Sequence, residues 1–184
     1  MTLMAYVKLI DPASCASPIK PTLDRIAGGF GVVPNMFKAV ANSPAALASM
    51  WGAFGALSTG SLGARLGEEL AVAIANVNRC GYCLAAHTVL GQKAGASAAE
   101  MAQAQAGHTA DPRTQAALDF ALKMVRDRAA VSADDVAALK AAGFDDEGVV
   151  EIIAHIALNL FTNYINVALD VPVDFPEVAL TPVA

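Results

Sequence analysis

The stretch EELAVAIANVNRCGYCLAAHTVLGQKAG, residues 68–95, decides the fold. Its first half places Leu70, Ile74 and Val77 in step with Leu66, the spacing of one helix face. Its second half reads as a new helix from about Cys80 to Ala94, with Gly95 as its stop. Between them a turn near Asn78 and Arg79 is permitted, and it would fold the second helix back along the first. Cys80, Cys83 and His87 lie within eight positions, in a chain with only three cysteines and three histidines.

Outward from this hairpin the helical signals continue. Residues 21–27 read as a short first helix, followed by the turn GGFGVVPN at 28–35. Pro34 opens a helix over 35–41. Ser43 is an N-cap with Pro44 at the first helical position, and 61–67 is a break or helix entry. Ser97 with Glu100 forms a capping box. Pro112 starts a further helix. Ser132 with Asp135 repeats the cap, and Gly143 ends that element. Residues 145–170 form the last and longest helix, ended before Pro172, and the proline-spaced tail 171–184 is expected to run extended along the surface. No segment alternates as a strand. The expectation is an all-α fold: one compact multi-helix bundle domain over 1–184, with its core motif at about 60–100.

Composition narrows the function. At 184 residues the chain can bury a core without disulfide staples. The 55% hydrophobic and 16% charged content is far from a disordered composition and predicts extensive burial, including a subunit interface. The net charge of −5 comes without a basic cluster, which argues against nucleic-acid binding. Three cysteines are not a secreted disulfide framework. The N-terminus has no basic n-region, and Lys8 and Asp11 interrupt its apolar run. A cytoplasmic location is expected. Residues 39–64 and 148–169 are apolar, but prolines, glycines, Glu151, His155 and asparagines break them. Neither is the continuous run of about 20 residues that a membrane span needs, so both are expected as buried or interface helices.

The chemistry sits in the hairpin. C-x-x-C places two thiols about one helical turn apart, where a disulfide closes with little backbone movement if Cys80 starts the helix. A helix N-terminus stabilises a thiolate. His87 follows Cys83 by four residues, so both share one face, and its imidazole can take the thiol proton. A carboxylate would orient that histidine. Glu68 lies about 18 Å from Cys80 along a continuous helix, so it reaches His87 only if the second helix folds back. A nucleophile, a resolving thiol and a base make a dithiol redox catalyst. Metal ligation and plain burial of small residues are the competing readings. A closed zinc site needs four ligands, and Cys80, Cys83 and His87 supply three.

With these residues in place, the stretch resembles the core motif of the carboxymuconolactone decarboxylase superfamily, in its alkylhydroperoxidase D-like, peroxidase-related branch. That motif is a glutamate, eleven residues, C-x-x-C, three residues and a histidine. It falls here on Glu68, Cys80, Cys83 and His87, with Glu69 out of register. VPNMFKAVANSP (33–44) and VVEIIAHIALNLFTNYIN (149–166) extend the similarity to residues 30–175. The resemblance implies an all-helical fold and a homo-oligomer, trimer or hexamer. It implies a peroxiredoxin-type oxidoreductase that reduces hydroperoxides through a reversible Cys80–Cys83 disulfide, with a Glu68–His87 proton relay. A thiol or dithiol reductant would restore the pair, and no cofactor or metal is implied. One departure is that alkylhydroperoxidase D proteins have a second histidine at the position of Tyr82. A phenol is a poor base at neutral pH, so a simpler relay is expected. Decarboxylases of the superfamily lack the paired cysteines, which disfavours lactone decarboxylation. The alternatives are a dithiol adaptor passing electrons to a partner protein, a decarboxylase-like enzyme on a small organic acid, and a structural oligomer with vestigial cysteines.

Cys83, paired with His87 by spacing, is expected as the thiolate, and Cys80 as the thiol that meets outside partners. Tyr82 is expected as a wall of the substrate pocket. His155 forms a stripe with Asn159, Asn163 and Asn166 on an apolar helix. The stripe reads first as a hydrogen-bonded seam between buried helices, and second as a pocket wall facing the cysteines. His108 is expected in an exposed loop, and Cys15 in a flexible N-terminal segment with no assigned role.

Overall fold

A computed structural model describes residues 5–16 and 18–182. The ends of the expected domain, 1–4 and 183–184, lie outside the described residues. Among those described there are nine helices and no strand: α1 (Lys20–Phe30), α2 (Asn35–Val40), α3 (Pro44–Leu57), α4 (Ala64–Val77), α5 (Gly81–Lys93), α6 (Ala98–Gln105), α7 (Pro112–Arg126), α8 (Ala133–Ala141) and α9 (Asp146–Ala168). The all-α expectation holds.

α4 is the hub. Its residues are buried almost all round, and it packs against α5, α6, α7 and α9. Val72 and Ala75 join one apolar cluster with α1, α2, α3 and the start of α5. Leu66, Leu70, Ala73 and Ile74 join a second with α7, α8 and α9. Leu70 and Ile74 are fully buried, each stabilising the fold by about 2 kcal/mol. Glu69, also buried, is held by Arg65, which donates from Nε at 3.1 Å and reaches Glu100 with Nη2 at 2.7 Å.

The caps fall where the sequence puts them. Ser43 accepts from the Ala46 amide, and both capping boxes form, Ser97 with Glu100 and Ser132 with Asp135. Gly95 and Gly143 follow their helices with φ of 96° and 91°. One boundary differs from expectation. α1 continues through Gly28 and Gly29 to Phe30 and ends at Gly31, whose φ is 82°. Leu23 and Ile26 are buried and Phe30 packs beside them, so tertiary contact outweighs the weak helix propensity of two glycines.

The tail also differs. Residues 171–182 have no helix, as expected, but they form a strap fastened to the body. Val171 is buried, and Phe175, Val178 and Leu180 pack on the first cluster. Asn76 Oδ1 accepts from the Thr181 amide at 3.0 Å, and Gln105 Nε2 donates to the Ala179 carbonyl at 2.9 Å. Cys15 is half-buried and packs against the same cluster, its thiol donating to the Pro12 carbonyl, and His108 is exposed. α9 is long and apolar enough by length and composition to cross a membrane. It packs against α2, α3, α4, α5, α7 and α8, while Val150, Ile153, Tyr164 and Val167 lie exposed along its outer side.

Candidate functional site

The α4–α5 hairpin builds the site. Arg79 makes the turn with φ of 58°, a left-handed conformation that costs a non-glycine residue about 1–2 kcal/mol. Its guanidinium is tied down by donating to the Thr181 carbonyl at 2.6 Å. The following residue, Cys80, is the N-cap of α5, and its Sγ accepts from the Cys83 amide at 3.3 Å. The hairpin then runs α5 back along α4. His87 returns to the level of Glu68, and Nδ1 donates to Glu68 Oε2 at 2.6 Å. A carboxylate only accepts, which fixes the proton on Nδ1 and leaves Nε2 for exchange.

The structure therefore brings Glu68, His87, Cys80 and Cys83 together. Both cysteines are free thiols and both are buried. Cys80, expected as the more exposed thiol, is no more exposed than Cys83, because the α5 N-terminus is packed into the first cluster. What differs is the space each one lines. Cys83 lines an apolar pocket with Phe30, Phe37, Phe54, Tyr82, His87 and Phe175. That pocket has about 30 Å³ of free space, room for a single water. Cys80 lines the floor of an outer groove with Arg79, Asp170, Val171 and Val173.

Electrostatics separate the two thiols. Burial pushes Cys83 up, but the hydrogen bond with Cys80, the charge of His87 and the amides of Asn166 and Asn163 outweigh it and bring Cys83 down to about 6. Sharing that hydrogen bond, burial and the charge on Cys83 hold Cys80 well above the ordinary thiol range. Burial works against a protonated His87, yet the Glu68 carboxylate and the Cys83 sulfur raise its pKa. The arrangement favours a Cys83 thiolate beside an imidazolium, with a protonated Cys80 next to it.

Tyr82 walls the Cys83 pocket. Its hydroxyl donates to Asp174 Oδ1 at 2.7 Å and accepts from the Met36 amide at 3.1 Å. Phe175 stacks edge-on against its ring at 5.7 Å. Burial and Asp174 push the phenol up, so it stays neutral. His155 lies elsewhere. It lines a separate recess with Glu68, His87, Phe54 and Asn159, so His87 stands between the two cavities. A Cβ at Gly67 would stand 3.1 Å from His155 Cε1, so the glycine lets this ring lie against α4. Burial lowers the pKa of His155, against the pull of Glu151 and Glu68.

The asparagine stripe divides. Asn159 Nδ2 donates to the His155 carbonyl at 2.9 Å, a bond within the helix. Asn166 Nδ2 donates to Cys83 Sγ at 3.2 Å. Sequence reasoning met Asn166 only as one member of this stripe, and did not name Asp174. The 159, 163, 166 spacing marked one polar face of α9, read first as a seam between helices and second as a wall facing the cysteines; Asn163 bonds across the seam to Asn78, and Asn166 faces Cys83. For Asp174, nothing in the sequence marked it. Among the described residues no group of three or more histidine, cysteine, aspartate or glutamate side chains is placed to hold a metal ion.

Residues 44–127 match the Carboxymuconolactone decarboxylase family. Comparison with curated proteins gave no match. Solved structures gave several. An uncharacterized peroxidase-related protein from Ralstonia eutropha JMP134, described as an alkylhydroperoxidase AhpD core, is 25% identical with a TM-score of 0.85, over 92% of each chain. An uncharacterized peroxidase-related protein from Silicibacter sp. TM1040 is 23% identical with a TM-score of 0.76, over 97% of this chain and 91% of that one. The debrominase Bmp8, as a cysteine-to-alanine variant in complex with 2,3,4-tribromopyrrole, is 20% identical with a TM-score of 0.78, over 93% of this chain and 94% of that one. The last two likenesses are of fold. The hairpin motif, the family match over residues 44–127 and the peroxidase-related relatives agree: this chain is similar to the carboxymuconolactone decarboxylase family and to its alkylhydroperoxidase D-like members.

Proposed function

We propose that the protein is a thiol-dependent hydroperoxide reductase of the peroxiredoxin type. One observation carries the reading: Glu68 holds His87 at 2.6 Å, one helical turn beyond a Cys83 thiol whose pKa is drawn down to about 6. The Cys83 thiolate attacks the terminal oxygen of the hydroperoxide. The S–O bond forms, the O–O bond breaks, and the leaving alkoxide takes a proton from the His87 imidazolium. Cys83 is then a sulfenic acid. The Cys80 sulfur displaces its hydroxyl, which leaves as water with the Cys80 proton, and the disulfide closes. A thiol or dithiol reductant reopens it by exchange at Cys80, the sulfur that lines the outer groove. The apolar walls around Cys83 suit an organic hydroperoxide, which enters by displacing Phe175 and its neighbours.

The proposal extends to a homo-oligomer, trimer or hexamer, supported by the apolar outer side of α9. It extends to a cytoplasmic location, where a dithiol pair is kept reduced, and to a reaction that needs no cofactor beyond the thiols. The groove at Cys80 also favours a second reading, a dithiol–disulfide adaptor that exchanges with a partner protein. Stopped-flow mixing of the reduced protein with cumene hydroperoxide, with thiols counted before and after, separates them. Rapid loss of two thiols per chain, restored by a dithiol reductant, is expected. No loss over minutes removes the peroxidase reading and leaves exchange.

A further inference from the structure

Two side-chain amides from α9 converge on the sulfur that the site activates. Asn166 Nδ2 donates to Cys83 Sγ at 3.2 Å. Asn163, one turn earlier, is fully buried. Its Oδ1 accepts from Asn78 Nδ2 at 2.9 Å, which fixes the orientation of the amide. Its Nδ2 has no hydrogen-bond partner. A buried donor without an acceptor is costly and rare in folded proteins, and this one borders the reactive thiol. Thr162 Oγ1 stands 4.0 Å from the same sulfur but donates to the Asn159 carbonyl, so its proton is committed elsewhere.

We infer that Asn163 and Asn166 form an amide cradle that holds Cys83 as the thiolate. A thiol sulfur is a weak acceptor, and Asn166 satisfies it. A thiolate is a strong acceptor, and the free Nδ2 of Asn163 becomes its second donor. The ionisable groups that face Cys83 are Cys80 from the turn, His87 from α5 and Tyr82 beside it. α9 faces it with uncharged groups, Thr162, Asn163 and Asn166. The cradle thus stabilises the charge by side-chain dipoles alone, from the α9 side of the sulfur. This makes the asparagine face of α9 a set of positioning residues for the nucleophile. The inference rests on Cys83 as the reactive thiol, and not on hydroperoxide as its substrate.

The test is a pH titration of the ultraviolet thiolate absorbance in a Cys15→Ser background, where Cys83 is the thiol that ionises in the neutral range. Asn166→Leu and Asn163→Leu are expected to raise the midpoint by about one unit each, a tenfold loss of thiolate on the acid side. Asn159→Leu, on the same stripe but without contact to the sulfur, is expected to leave it in place. An unchanged midpoint in both cradle variants overturns the inference, as does an equal shift in Asn159→Leu, which would mean general loosening of α9. Should the leucine variants fail to fold, the wild-type side-chain amide resonances of Asn163 and Asn166 decide. They must move with the Cys83 midpoint, and their silence overturns the cradle. If the midpoints shift as expected and hydroperoxide is still not consumed, the cradle stands and the peroxidase reading falls.

Discussion

His87 donates from Nδ1 to Glu68 Oε2 at 2.6 Å across the α4–α5 hairpin, joining residues nineteen apart in sequence. That bond orients the ring and supplies the charge that favours its protonated form. Glu68→Gln keeps the shape and removes the charge. His87 is then protonated less often, and Cys83 loses its counter-charge. The expected result is a higher Cys83 midpoint and a fall in the rate of peroxide reduction of about 10²-fold, the scale of lost acid–base catalysis. Stopped-flow kinetics of the variant against wild type measure it. An unchanged rate would place the proton transfer elsewhere.

The Cys83 pKa also predicts a stability slope. Its folded value of about 6 lies below that of an unfolded thiol, about 8.5. A depressed pKa contributes stability that is fully present above the unfolded value and is lost as pH falls through the folded one. Cys83 should therefore add stability from about pH 6 towards pH 8, against His87, whose raised pKa gives stability that is lost as pH climbs. Cys83→Ser should lose most of that slope. Urea unfolding under reducing conditions across this window checks the sign.

Tyr82 fastens the strap rather than moving protons. Its hydroxyl links the Met36 amide to Asp174, and Asp174 Oδ2 also accepts from the Asn35 amide at 2.8 Å. Tyr82→Phe leaves a buried amide unpaired and should cost about 1–3 kcal/mol. Thermal unfolding measures this cost. The Cys83 midpoint should stay in place, because a neutral phenol carries no charge to lose.

The outer side of α9 predicts assembly. Val150 and Ile153 are exposed apolar residues on a helix whose other side is packed. Ile153→Glu, or Val150→Glu with it, places charge at the proposed subunit contact. Light scattering on the eluting protein should show the wild type as an oligomer and the variant as smaller species. Identical masses for both would remove this side of α9 from the interface.

The hairpin was legible because its signals are local. Caps at Ser43, Ser97 and Ser132 are spelled within four residues, and Glu68, Cys80, Cys83 and His87 keep a fixed spacing along two adjoining helices. The rest required knowing which helices meet. Asn166 reaches Cys83 across 83 positions and Asp174 reaches Tyr82 across 92, and no periodicity encodes such pairings. Gly28 and Gly29 misled for the same reason. Their propensity is a local cost, while the burial of Leu23 and Ile26 that overrides it is decided by distant partners.

Every helix that the strap covers precedes it in sequence. Phe175 of the strap lines the Cys83 pocket, and Val171 and Val173 line the Cys80 groove, so the cover over both thiols is a segment that carries none of Glu68, Cys80, Cys83 and His87. A chain cut after Asp170 would lack that cover. Its cysteines should react with a bulky alkylating reagent much faster than those of the full chain, and equal rates would show that the strap gives them no shelter.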